Sequence, residues 1–105
     1  MNTTPPKQWP ILQRFPKLAK RLNPIVLCEL PTTVNALTEL SGNAWVKRDY
    51  LSNPVYGGNK TRKLEFLIAD AQKKNADVII TQGAVQSNHA RQTAAAAAKL
   101  GFQCE

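Results

Sequence analysis

Lys60 has a glycine turn on one side and an amphipathic helix on the other, a placement suited to covalent chemistry. It follows Tyr56-Gly57-Gly58-Asn59 and opens a stretch to about Asn75 in which Leu64, Leu67, Ile68 and Ala71 recur at helical spacing. At about 100° per residue from Lys60, these four fall at about 40°, 340°, 80° and 20°, so Lys60 shares their side of the helix. Arg62 and Lys73, at about 200° and 220°, point to water. A lysine so placed is partly desolvated and sits at a positive helix end, and both effects favour the neutral amine that a Schiff base requires. Lys63 follows at about 300°, close enough for both amines to reach one anionic group such as a phosphate. Gly57, Gly58 and Asn59 keep side-chain bulk low, which lets a flat ring approach the backbone. The same geometry also suits an ordinary first-turn lysine whose ammonium snorkels to water.

A second group, Gln86-Ser87-Asn88-His89, lies at a strand-to-helix junction, where backbone N–H groups and a positive helix end can seat a carboxylate or phosphate. Ser87 and Asn88 offer a hydroxyl and an amide for orienting a small polar substrate or a ring hydroxyl. Ligands of α/β sheets bind beyond the carboxyl ends of the strands, where this loop and Lys60 can both face. Taken alone, the group also reads as an N-cap, Ser87 or Asn88, followed by a first-turn surface histidine.

The elements that must position these residues follow a βαβ order. Residues 1–24 hold Pro5, Pro6, Pro10, Pro16 and Pro24, a density that forbids a long helix and predicts an extended arm. Ile25 to Leu30 reads as a short strand, Pro31-Thr32-Thr33 as the start of a helix through Leu37 and Leu40, and Ser41-Gly42-Asn43 as its closing turn. Ala44 to Arg48 is the next strand, and Leu51 to Asn59 is turn chemistry. The clearest helix, Lys60 to Asn75, takes Asn59 as its N-cap. Asp77 to Thr81 is a β-branched run expected as a buried strand, and Gln82 to Gln86 is the loop after it. Ser87 or Asn88 caps an alanine-rich helix to Leu100, Gly101 closes it, and Phe102 to Glu105 begins another strand. The fold class expected is α/β, a parallel sheet with flanking helices. A parallel sheet needs more strands than these, so the segment 25–105 is expected to be incomplete at its C-terminal side.

Composition narrows the function. Fourteen Lys and Arg against seven Asp and Glu give a net charge of +7, which permits a polyanionic partner. The basic residues are spread over several elements without stacking or zinc-finger signatures, which argues against nucleic acid. Cys28 and Cys104 have no CxxC spacing and the chain has one histidine, so no zinc set is expected, and both cysteines are read as buried, reduced thiols. No apolar run approaches the roughly 20 residues of a membrane span and no leader pattern opens the chain, so a cytoplasmic protein is expected.

Two long motifs, Tyr56 to Glu65 and Gln86 to Ala95, with Val46-Lys47-Arg48-Asp49 ahead of them, resemble the D-cysteine desulfhydrase and 1-aminocyclopropane-1-carboxylate deaminase family, pyridoxal-phosphate enzymes of fold type II in the tryptophan-synthase-β superfamily. The likeness runs in register from about Leu30 to Glu105. It implies that Lys60 holds pyridoxal 5'-phosphate through a Schiff base and moves protons at the substrate α-carbon. It places Asn59 and Lys63 against the cofactor, Lys63 at its phosphate, and Asn88 at its ring hydroxyl. Ser87 and the following N–H groups would take the carboxylate of a small amino acid, with His89 beside them and leaning toward the desulfhydrase branch. The implied reaction is β-elimination from D-cysteine to pyruvate, sulfide and ammonia, with deamination of the cyclopropane amino acid as the alternative, in a homodimer. Members of the family run to roughly three times this length in two domains, and their glycine-rich phosphate loop, pyridine-nitrogen partner and active-site tyrosine match nothing before Glu105. This chain alone is therefore expected to be a fragment of such an enzyme, inactive by itself; a non-catalytic truncated remnant and a small basic binding domain are the readings of another class.

Overall fold

The computed structural model describes residues 9–105, so the part of the proline-rich arm at 1–8 lies outside the described residues. From Trp9 the arm is not extended as expected. It folds into one short helix, α1 (Pro10–Arg14), and a 3₁₀ turn at Pro16–Lys20. Each begins on a proline, whose fixed φ suits a first helical position and whose missing N–H is not needed there. Trp9 and Leu12 are buried, which holds this segment onto the rest of the chain.

Two other expectations are corrected. Residues 25–30 form no strand, because their backbone donors are captured by a helix: Ile25 N donates to Glu65 O at 3.0 Å, and Leu27 N and Cys28 N donate to Glu65 Oε2 at 2.8 and 3.1 Å. The helix expected through Leu37 and Leu40 is instead an antiparallel hairpin of β1 (Val34–Ala36) and β2 (Trp45–Lys47), with Asn35 opposite Val46. Ser41-Gly42-Asn43 turns the chain as expected, but between strands. Val34 and Trp45 suit extended backbone, and pairing with the following strand outweighs a weak local helix preference.

Arg62 fastens this hairpin region to the next helix. Its guanidinium meets both oxygens of Asp49, at 2.9 and 3.0 Å, and reaches Thr32 Oγ1 at 3.1 Å. Thr32 Oγ1 in turn donates to Asp49 Oδ1 at 2.7 Å, and Lys47 Nζ donates to Thr32 O at 2.8 Å. The Arg62 hydrogen bond, with the one from Thr32, holds the Asp49 carboxyl below the usual carboxylate range.

Helix α2 (Asn59–Lys73) agrees with the expected span to within two residues at its C-terminal end, and its N-cap is Gly58, one residue before the predicted Asn59. The chain leaves α2 through Asn75 at φ 55. Strand β3 (Val78–Ile79), helix α3 (Asn88–Leu100) and strand β4 (Gln103–Cys104) form the expected β-α-β unit, with the strands parallel and Val78 paired to Gln103. Thr81 N to Glu105 O and Glu105 N to Ile79 O, 2.8 and 3.0 Å, extend the ladder. Gly101 at φ 81 closes α3, and Phe102 N bonds back to Ala97 O. Strand β3 is half-buried rather than buried, and Ile80 beyond it is exposed.

The core lies between α2 and α3, where Leu27, Tyr56, Leu64, Ile68 and Ala96 form one cluster. Small side chains on α3, Ala96 and Ala97 with no exposed surface, let the two helices approach closely. Cys28 is buried and Cys104 half-buried, and both are free. Burial and the neighbouring Glu65 carboxylate push the Cys28 thiol up to about 12, so it is a poor nucleophile at neutral pH.

Glu65 is the polar centre of this packing: it has no exposed surface, and it accepts from Trp9 Nε1 at 2.9 Å as well as from Leu27 N and Cys28 N. Glu65→Ala would strand three buried donors, each bonded to a charged partner, and is expected to destabilise the chain by about 3–5 kcal/mol in urea unfolding followed by tryptophan fluorescence. A loss below about 1 kcal/mol would contradict this role.

Candidate active site

The first turn of α2 is prepared by the loop before it. Ser52, with no exposed surface, accepts from Gly58 N at 3.1 Å and donates to Gly58 O at 3.2 Å, gripping one residue from both sides. Asn53 accepts from Val55 N and Tyr56 N and donates to Leu27 O, so it shapes the turn and anchors it. Gly58 stands at φ 142, a conformation that side chains disfavour, and a Cβ there would lie 2.7 Å from Gln92 Nε2. At Gly57 a Cβ would collide with the carbonyl oxygens of Tyr50 and Asn53. Both glycines are therefore required by the protein's own close approaches, in addition to any room they leave for a ring.

Lys60 is half-buried and its Nζ donates to Asn59 Oδ1 at 3.3 Å. The buried face of α2 is Thr61, Leu64, Glu65 and Ile68, and Leu67 is 56% exposed. The true face is thus centred about a sixth of a turn from the one predicted and about a quarter turn from Lys60. Burying Glu65 and Thr61, two polar residues, moves the centre, and Lys60 lies at the rim of the buried face instead of in it. A rim position leaves its amine reachable. Lys63, one turn on, is exposed.

Ser87 is the N-cap of α3: its Oγ accepts from Ala90 N at 3.1 Å, as the capping reading expected. As a hydroxyl acceptor it keeps its own proton for a further bond. Asn88, the first residue of the helix, is exposed. His89 is half-buried, and its Nδ1 is buried with no hydrogen-bond partner among the described residues.

The two helix starts meet. Thr61 Oγ1, adjoining Lys60, lies 2.9 Å from Gln92 Oε1, one turn after Asn88. Burial, then the charges of Lys63 and Lys60, hold His89 below its ordinary value. Among the described residues no group of His, Cys, Asp and Glu could hold a metal ion, and no helix is long and apolar enough to cross a membrane. Gln92, Thr61, Ser52 and Asn53 carry the geometry of the site, and Gln92 and Thr61 had no separate signal in the sequence beyond their place in the two motifs.

An amine at the rim of a helix start, with a second ammonium and an unpartnered buried imidazole nitrogen near it, fits a group that carries both an aldehyde and a phosphate. A family model described as pyridoxal-phosphate dependent enzyme matches residues 25–105, and the chain belongs to that family. Within it, the chain is 50% identical over 97 residues to D-cysteine desulfhydrases of Salmonella paratyphi B and Salmonella newport, covering 89% of this chain and 27% of theirs. A crystal structure of an ACC deaminase homologue matches with a TM-score of 0.77 and 42% identity, over 84% of this chain and 28% of that one. The chain spans about a quarter of the length of these relatives.

Because its folded value is lowered, His89 is expected to be neutral at pH 7 and to titrate below the ordinary value of about 6.5 in NMR. Protonating it costs more in the folded than in the unfolded chain, so its contribution to stability falls as pH drops through that ordinary value. Lys63→Gln is expected to move the His89 midpoint upward; an unchanged midpoint would separate the two side chains.

Proposed function

We propose that this chain carries the cofactor-lysine half of the active site of a pyridoxal-phosphate enzyme acting on a small amino acid, with D-cysteine converted to pyruvate, sulfide and ammonia as the best-supported reaction. The observation that carries the reading is the joining of the two helix starts by Thr61 and Gln92, which supports Lys60 and the loop of Ser87, Asn88 and His89 as parts of one site. When bound, pyridoxal phosphate would supply an aldehyde carbon for a lysine amine and a ring that withdraws electrons from the substrate α-carbon.

In this reading Lys60 holds the cofactor and then moves a proton at that α-carbon. Its half-buried position at the start of α2 leaves the amine within reach of a ligand. Lys63 places its charge at the cofactor phosphate, and Asn59, which already holds the Lys60 amine, lies against the ring. The Asn88 amide, exposed at the first position of α3, donates to the ring hydroxyl. Ser87 uses the proton left over from capping, with the N–H groups after it, to take the substrate carboxylate. His89, kept neutral, can accept or donate toward the substrate at its unpartnered Nδ1.

The 50% identity to D-cysteine desulfhydrases and the histidine at 89 support that substrate. Deamination of 1-aminocyclopropane-1-carboxylate is the second reading, favoured by the likeness to the ACC deaminase homologue. Residues 25–105 are read as the α/β segment, with the arm pinned to it through Trp9 and Glu65. A cytoplasmic homodimer is the assembly that the resemblance implies.

The test is reductive trapping. With pyridoxal phosphate and borohydride, peptide mapping is expected to find Lys60 labelled about tenfold faster than Lys73, an exposed lysine at the far end of the same helix. Equal labelling of all the lysines would overturn the assignment of Lys60.

A further inference from the structure

We propose that Gln92 is a positioning residue for Lys60, acting through Thr61; the inference deepens, and rests on, the reading of Lys60 given above. Thr61 has no exposed surface, and its single hydroxyl proton is shared between two acceptors, Tyr56 O at 2.7 Å and Gln92 Oε1 at 2.9 Å. One atom therefore joins the turn that carries Gly57 and Gly58, the first turn of α2, and the second turn of α3. Gln92 is 2% exposed, and its amide also fills the space beside Gly58 in which a Cβ would stand.

The contact is not the cheapest way to pack two helices. A buried amide against a buried hydroxyl stabilises little more than an apolar pair of the same shape, and the interface already has Leu64, Ile68 and Ala96 for that purpose. What a directional contact adds is a fixed angle and register. Its two ends lie where register matters: Thr61 adjoins Lys60, and Gln92 stands one turn from Asn88 on the helix that Ser87 caps. Losing the contact lets the α2 start rotate or slide against α3, and displacement of a reacting atom by about 1 Å can lower a rate by about a hundredfold.

The experiment compares Thr61→Val, which removes the hydroxyl at nearly constant shape, with Thr61→Ser, which keeps it, and adds Gln92→Met. The readout is the ratio of Lys60 to Lys73 labelled by pyridoxal phosphate and borohydride in the whole 105-residue chain, with helical content checked by circular dichroism. Lys73 serves as an internal reference, and the ratio is compared only under conditions where circular dichroism shows the variant as fully folded as the wild type, because an unfolded fraction would pull the ratio toward one. Thr61→Val and Gln92→Met are expected to lower the ratio about tenfold, and Thr61→Ser to keep it near wild type. A wild-type ratio in the folded Val variant overturns the proposal, and the Val and Ser pair decides the matter even where Gln92→Met fails to fold. Absence of any Lys60 preference in the wild-type chain overturns the reading of Lys60 together with this proposal, whereas an unchanged preference in the variants overturns the proposal alone.

Discussion

A carboxylate without exposed surface costs several kcal/mol unless its oxygens are served, and Glu65 is served three times, by the Trp9 indole and by two consecutive backbone N–H groups. Much of the site's geometry descends from that arrangement. Holding Leu27 and Cys28 against α2 presents the Leu27 carbonyl to Asn53 Nδ2, and the other end of that amide gathers Val55 N and Tyr56 N into the turn before Lys60. Burial, together with the same carboxylate, raises the Cys28 thiol, which keeps a neighbouring cysteine unreactive. From the arm to the turn before Lys60, the path is a chain of hydrogen bonds with an apolar cluster beneath it.

Two helices that begin side by side give this arrangement its chemical character. Each start presents N–H groups without helical partners, so anions are favoured there. Charged and polar side chains stand at these starts: Lys60 and Lys63 on α2, Ser87 and Asn88 at α3, and His89 under the influence of both lysines. Rigidity beneath these residues comes from buried polar atoms whose partners are fixed in direction, Ser52 around Gly58 and Thr61 between Tyr56 and Gln92. The side chains that would meet ligand are left at the rim or in the open.

What could be read from the sequence divides along the same line. The spans of α2 and α3, the loop between β3 and α3, the Ser87 cap and the Gly101 stop are encoded by neighbours a few residues apart, and the sequence shows them. The hairpin of β1 and β2 depends on pairing across a turn, and local preference pointed to a helix instead. Residues 25–30 look like a strand because they are apolar and β-branched, yet their donors go to a helix that begins some thirty residues later. Glu65 misled the reading of the buried face, since a charged residue in a helical repeat is ordinarily solvated and only its three donors make burial tolerable. Lys60 is marked in the sequence by its glycine turn and its motif, while the contact between Thr61 and Gln92 is recognisable only once the helices are seen together.

In the proposed reading, the turn before α2 and the loop before α3 form one seat for a phosphorylated aldehyde. Backbone-amide NMR of the chain titrated with pyridoxal phosphate tests it most directly. Shift changes are expected to concentrate at residues 57–63 and 83–89, with Lys60 among the largest. Changes spread evenly over the exposed lysines, or confined to one of the two segments, would contradict it.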